Sequence, residues 1–280
     1  MLGQILFGLF FAFLPAMLWL CLFYSRDLKD PEPKKVIAKT FLLGSLAALP
    51  FLGFRALLDL TGAHSILIGG ITQVIVFAML EETTKISAAI TMVMRHKIEF
   101  NQITDGIMYA VSTALGFAFI ENTQYFILLF KGNPDIISTL WIVTSRSLGT
   151  LLAHALFSGL NGLLWAYAYF SKQITPLQQK HLLAFEIRDL INREIFSLHI
   201  VRHNILKGIP SRRGGHEKRM LVFEGMVLAT GLHVLYNTLT TFSVFGKNLT
   251  FLLVPLLMSG LLWVLYLMSK KWNQKILKVI

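Results

Sequence analysis

The sequence predicts an all-α membrane protein: a polytopic helical bundle of about seven spans, N-terminus outside and C-terminus inside. Three observations carry this. Hydrophobic residues make up 55% of the 280-residue chain and its mean hydropathy is +0.62, above what a soluble core requires. Several windows of about 20 apolar residues can each cross a hydrocarbon layer of roughly 30 Å. The basic residues gather in alternate loops, as the positive-inside rule requires.

The first span, about 2–24, has no basic segment before it and no convincing small-residue cleavage site, and SRDLKDPEPKK follows at once. It reads as an uncleaved anchor with its N-terminus outside. The others lie at about 36–58, 66–94, 103–130, 136–170, 219–243 and 248–269. The fifth is too long for one simple crossing, and its start, before Arg146, reads as tilted, interfacial or re-entrant. Arg26, Lys29, Lys34, Lys35 and Lys39 follow span one, and Arg95 and Lys97 follow span three. Ten basic residues run from Lys172 to Arg219, and Lys270, Lys271, Lys275 and Lys278 close the chain. The opposite loops hold Lys131 and Lys247.

Residues 171–218 are the sizeable aqueous segment, a cytoplasmic insertion between spans five and six of a single membrane-embedded domain, 1–280. Within it Ile187, Ile191, Ile195 and Leu198 recur at helical spacing, with Arg188, Asp189, Arg193 and Glu194 interleaved. This predicts an amphipathic helix on the inner leaflet, favoured by anionic lipid. The formal charge of +11 is thus a topology signal, and without a nucleic-acid-binding motif nucleic acid is not an expected partner. The single cysteine, Cys21, lies in an apolar run, so no disulfide framework or cysteine metal knot is available.

The spans also contain groups that lipid disfavours. Glu81 and Glu82 lie in AMLEETTK of span three and Glu121 in LGFAFIENTQYF of span four. His154 lies in RSLGTLLAHALFSGLNG of span five, and His233 and Asn237 in TGLHVLYNTL of span six. Ionisable residues in spans face the bundle interior and mark function. At about 1.5 Å per residue, Glu121, His233 and Glu81 lie roughly 13, 15 and 22 Å from the outer ends of their spans, which allows one shared polar layer. Residues four apart share a helix face, which pairs Glu81 with Lys85, Phe117 with Glu121, His154 with Ser158 and His233 with Asn237. Glu82 points about 100° away from Glu81, so the adjacent carboxylates have different roles. Gly116, Gly149, Ala153, Gly159, Gly162 and Gly231 would let helices approach closely.

Carboxylates, imidazoles and an amide together suit hydrolysis. A glutamate serves as general base towards water, and histidine and asparagine donate to an oxyanion. The same set suits a divalent metal with an open position for water. H-E-x-x-H, G-x-S-x-G and the P-loop are absent, so a metal site has to be assembled from separate helices. Two non-enzymatic readings use the same residues: an ion or proton pathway, and a membrane scaffold whose polar layer specifies helix pairing.

The motifs resemble those of the PrsW-type intramembrane proteases, a family distantly similar to the CAAX prenyl protease and bacteriocin-processing superfamily. E-E-x-x-K occurs as Glu81-Glu82-Thr83-Thr84-Lys85, and F-x-x-x-E as Phe117 to Glu121. The R…H-x-x-x-S-x-x-x-G run occurs as Arg146, His154, Ser158 and Gly162, and H-x-x-x-D/N as His233 to Asn237. Their order holds over roughly residues 70–240. The family often has Asp at the last position; Asn237 lacks the charge but keeps an oxyanion donor or amide anchor. The resemblance implies an intramembrane peptidase of a prokaryotic plasma membrane that cleaves a membrane-associated protein or peptide. It makes Glu81, Glu82, Glu121, His154, His233 and Asn237 the catalytic set, with Lys85, Arg146 and Ser158 in support. By analogy Glu81 or Glu82 activates water, and His233 with Asn237 steadies the oxyanion. In a metal-dependent version Glu82, Glu121, His154 and His233 are the ligands, and zinc is the expected ion. A metal-free glutamate mechanism is the favoured expectation, because spacing does not show tight ligand geometry across helices.

Overall fold

Helices form where the apolar runs lie, and their ends follow local polar signals. The computed structural model describes residues 2–27, 30–61, 70–132, 134–170, 215–241, 243–244, 247–248 and 253–269. Among the described residues the helices are α1 (Leu2–Tyr24), α2 (Lys34–Thr61), α3 (Gly70–Arg95), α4 (Ile103–Lys131), α5 (Ile136–Phe170), α6 (Gly215–Thr241) and α7 (Leu253–Ser269). Asp135 begins α5 by accepting from the Ile137 and Ser138 backbone N–H groups at 3.0 and 2.9 Å. Asp105, in the first turn of α4, accepts from the Asn101 and Gln102 N–H groups at 2.8 and 2.6 Å. The proline of α1, Pro15, and that of α2, Pro50, lie inside their helices, as membrane helices tolerate.

Five helical stretches are long and apolar enough to cross a membrane: α1, α2, α4, α5 and 219–240 of α6. α3 is long enough, but Glu81, Glu82 and Lys85 lie in its middle. The apolar stretch of α7 is the shorter Leu256–Leu265. At 248, the expected start of the last span, the chain is in an antiparallel pair, β1 (Ser243–Val244) with β2 (Lys247–Asn248). The expected amphipathic helix within 171–218 lies outside the described residues.

α4 is the central helix, packed against α1, α2, α3 and α5, and Ile103–Ala118 is buried throughout. α6 packs on α5 and α3, and α7 on α5. Lipid tails are as apolar as leucine, so helix pairing rests on close packing rather than on removal from water. Glycines provide the close approach. A Cβ on Gly106 would lie 2.5 Å from the Gly162 carbonyl oxygen, and one on Gly162 would strike that of Gly106. Gly44 and Gly116 likewise face the backbone carbonyls of Thr113 and Phe41 across α2 and α4. Apolar side chains such as Leu6, Phe10, Leu18, Leu42 and Leu46 point outward, as a lipid-facing surface requires.

α5 runs from Ile136 to Phe170 without folding back, so its start is not a re-entrant hairpin. Its first ten residues, Ile136–Ser145, bury no side chain. A π turn at Arg146–Thr150 follows, closed by the Leu151 N–H on the Arg146 carbonyl. Eight residues of regular α-helix would set Arg146 about 80° round from His154. The wider turn absorbs one extra residue and brings both side chains to the same side. The Trp19 indole N–H donates to the Ser147 carbonyl within this turn at 3.0 Å.

Candidate active site

The middle of α3 supplies the first three groups. Glu81, Glu82 and Lys85 are 5%, 0% and 0% exposed. Glu82 is fully engaged: its Oε1 accepts from Lys85 Nζ at 2.7 Å and faces His233 Nδ1 at 2.9 Å, and its Oε2 accepts from Ser158 Oγ at 2.8 Å. This one carboxylate therefore ties α3 to both α5 and α6. A carboxylate accepts, so the proton of His233 sits on Nδ1 and the lone pair on Nε2. That Nε2 lies 3.6 Å from Glu81 Oε2, a buried oxygen with no hydrogen-bond partner among the described residues.

Lys85 Nζ also lies 3.6 Å from Glu81 Oε2 and 2.6 Å from His154 Nδ1, and sits 5.0 Å from the centroid of the Phe117 ring. An ammonium only donates, so Nδ1 of His154 accepts and Nε2 carries the proton. Nε2 of His154 faces Glu121 Oε2 at 3.2 Å. The other oxygen of Glu121 accepts from Arg146 Nη2 at 3.1 Å, and Arg146 Nε donates to Asn122 Oδ1 at 2.8 Å. The imidazoles of His154 and His233 meet edge to face with centroids 5.1 Å apart.

Six of the residues singled out from sequence therefore form one connected cluster drawn from α3, α4, α5 and α6: Glu81, Glu82, Lys85, Glu121, His154 and His233. Arg146 reaches it through Glu121 and Ser158 through Glu82. Ser158 donates to a carboxylate and not to His154, so no Ser–His nucleophile pair is present. Asn237 is half-buried one turn beyond His233, and its side chain has no hydrogen bond to the cluster among the described residues. The structure adds Tyr125, whose ring lies 4.1 Å from the Arg146 guanidinium carbon. Its position four residues after Glu121 was the available signal. It also adds Tyr236, whose hydroxyl pairs with Thr150 Oγ1 at 3.0 Å, and Phe157, which packs between Tyr236 and His233. Nothing in their local sequence distinguishes these two from ordinary packing aromatics.

The cluster suits a metal. Glu81, His154 and His233 are all buried, and one ligating atom from each lies within 4.8 Å of the others. Two imidazoles and a carboxylate are an ordinary zinc donor set. The unpartnered Glu81 Oε2 and the free lone pair of His233 Nε2 fit ligation directly; His154 ligates once Lys85 leaves its Nδ1 or the ring proton shifts. Glu82, holding His233 through Nδ1, occupies the position of an outer carboxylate that orients a ligating histidine.

The sequence profile of the PrsW family intramembrane metalloproteases matches residues 32–185, more than half of the chain. This region holds the α3, α4 and α5 parts of the cluster, and His233 lies beyond it. The Protease PrsW of Oceanobacillus iheyensis is 33% identical over 199 residues, 70% of this chain and 81% of the relative. That of Geobacillus kaustophilus is 32% identical over 158 residues, 56% of this chain and 64% of the relative. That of Bacillus subtilis is 31% identical over 115 residues, 40% of this chain and 50% of the relative. No solved structure matches the chain. A buried acid–imidazole cluster in a bundle of apolar helices, and a family match across the helices that carry most of it, lead to one assignment: the chain is a membrane-embedded peptidase belonging to the PrsW family of intramembrane metalloproteases.

Proposed function

We propose that the peptidase activity resides in Glu81, His154 and His233, with Glu121 beside them, and that the substrate is a protein held in or at the membrane. The observation that carries this is the buried, unpartnered Glu81 Oε2 facing the lone-pair nitrogen of His233. In this reading Glu81, His154 and His233 hold a zinc-type ion. When bound, the ion supplies Lewis-acid polarisation and a water acidic enough to attack near neutral pH. Glu121 Oε2, which faces His154 Nε2 at 3.2 Å, takes the proton of the attacking water once the imidazole turns to ligate. Arg146 holds the opposite oxygen and so fixes the orientation of the carboxylate. Glu82 keeps His233 and Lys85 in register, and Asn237 remains an oxyanion donor for a bound substrate. The bundle would sit in a prokaryotic plasma membrane with seven spans, N-terminus outside, and anionic lipid at its basic inner face.

A second reading is favoured by Lys85. An ammonium 3.6 Å from Glu81 and 2.6 Å from His154 already supplies positive charge where an ion would sit. Here Glu81 is itself the general base and no metal is needed. Metal content and cleavage of a membrane peptide are measured on purified protein before and after chelation. Loss on chelation with recovery on zinc supports the first reading, and full activity without metal supports the second. Glu81→Gln is expected to lower turnover by about 10²–10⁴-fold in both readings. Wild-type cleavage by a folded Glu81→Gln protein would remove the assignment.

A further inference from the structure

We infer that a second buried acidic group, Asp27 and Glu32 in the α1–α2 turn with Asp105 at the start of α4, binds a hard divalent cation of the Mg2+ or Ca2+ type. The three are 3%, 2% and 0% exposed. Both carboxylate oxygens of Asp27, Oε1 of Glu32 and Oδ1 of Asp105 are buried without a hydrogen-bond partner among the described residues. The remaining oxygens are held in place: Glu32 Oε2 accepts from the Tyr109 hydroxyl at 3.1 Å, and Asp105 Oδ2 accepts from the backbone N–H groups that open α4. Asp30 joins the rim through Asn101 Nδ2 at 3.0 Å.

Among the described residues no cation balances the charge of these carboxylates. No described lysine or arginine lies within 4.0 Å of the three carboxylates, and the nearby Arg26, Lys34 and Lys35 point to solvent. Unpaired buried charge is costly, so the pocket takes up either protons or a cation. Burial pushes Glu32 up to about 8, against the Tyr109 hydrogen bond and with repulsion from Asp27, Glu99 and Asp30. Burial also pushes Asp27 up to about 6, opposed by the approach of the Glu32 backbone N–H and reinforced by Asp30. All-oxygen donors select hard cations over zinc. The oxygens of the three residues do not all lie within 4.8 Å of one another, so an ion here is held directly by at most two of the carboxylates and through water by the third. Asp105 and Glu121 are about 24 Å apart along α4, so this site is separate from the hydrolytic one.

The test uses Mn2+ as a paramagnetic probe of full-length purified protein, in a His154→Ala/His233→Ala background that removes the imidazole ligands of the other site. One saturable Mn2+ per chain, displaced by Mg2+ and bound about tenfold or more weakly after Glu32→Gln or Asp27→Asn, is expected. Absence of saturable binding, or binding unchanged in both variants, overturns the inference and leaves shared protons as the neutralising charge. Thermal unfolding of the unmutated protein covers the event that a variant does not fold. Mg2+ added back to protein already stripped by EDTA and dialysed should raise its Tm at about pH 8, and less at about pH 5.5, where protons compete. No rise at the higher pH also overturns it.

Discussion

Glu81 and Glu82 are neighbours in the chain with opposite duties in the fold. Glu82 receives three donors and has no free oxygen; Glu81 keeps one unpartnered. Their substitutions should therefore separate. Glu82→Gln removes the charge opposite a fully buried lysine and is expected to cost about 3–5 kcal/mol of stability along with activity. Glu81→Gln should lose activity and keep its unfolding temperature. Equal thermal stability of Glu82→Gln and wild type would contradict this division. Glu32 and Asp27 give a second prediction. Their folded-state values are raised, to about 8 and about 6, so their contribution to stability is full at pH values below the usual carboxylate range. It is lost as pH rises through about 6 for Asp27 and about 8 for Glu32. Unfolding in EDTA across this window should show falling stability, and Glu32→Gln should flatten the upper part. A slope unchanged by Glu32→Gln would place the titrating group elsewhere.

At the scale of the element, α5 is the instructive case. Its length was plain from composition, but the π turn that makes 35 residues usable was not, because no residue type demands it. The turn lets Arg146 and His154 converge on Glu121 from one helix. Deleting Leu148, an exposed residue within the turn, should close it to regular helix and leave Arg146 within about 20° of the side of His154, with cleavage retained. Inserting an alanine after Leu148 should instead swing Arg146 about 100° away from Glu121; the loosely packed segment before the turn absorbs the rotation, so the protein should stay folded while cleavage falls by about tenfold or more. Unchanged cleavage by the insertion variant would mean that Arg146 does not position Glu121. Packing of α4 on α5 rests on the mutual backbone approach of Gly106 and Gly162. Gly162→Leu should force these helices apart and lower detergent stability, read as a drop in Tm; an unchanged Tm would show that the contact is dispensable.

Over the whole molecule, the polar cluster sits where four helices meet around buried α4. The sequence by itself determined that the chain is a helical membrane bundle, because apolar length is a local property. It also singled out Glu81, Glu82, Glu121, His154 and His233, because each polar group in a lipid-length run stands out singly; Asn237, singled out with them, makes no hydrogen bond to the cluster among the described residues. Spacing four apart correctly set Glu81 beside Lys85, but it also suggested His154 with Ser158 and His233 with Asn237 as working pairs. Only the tertiary structure decided that Ser158 serves Glu82, that Glu81 rather than Glu82 keeps an oxygen without a hydrogen bond among the described residues, and that Asp27, Glu32 and Asp105 are buried near one another. Those are relations between helices distant in sequence, and they depend on rotation and depth to within a few ångströms. Hydropathy and periodicity report which face of a helix is buried, and carry no information about which partner that face will meet.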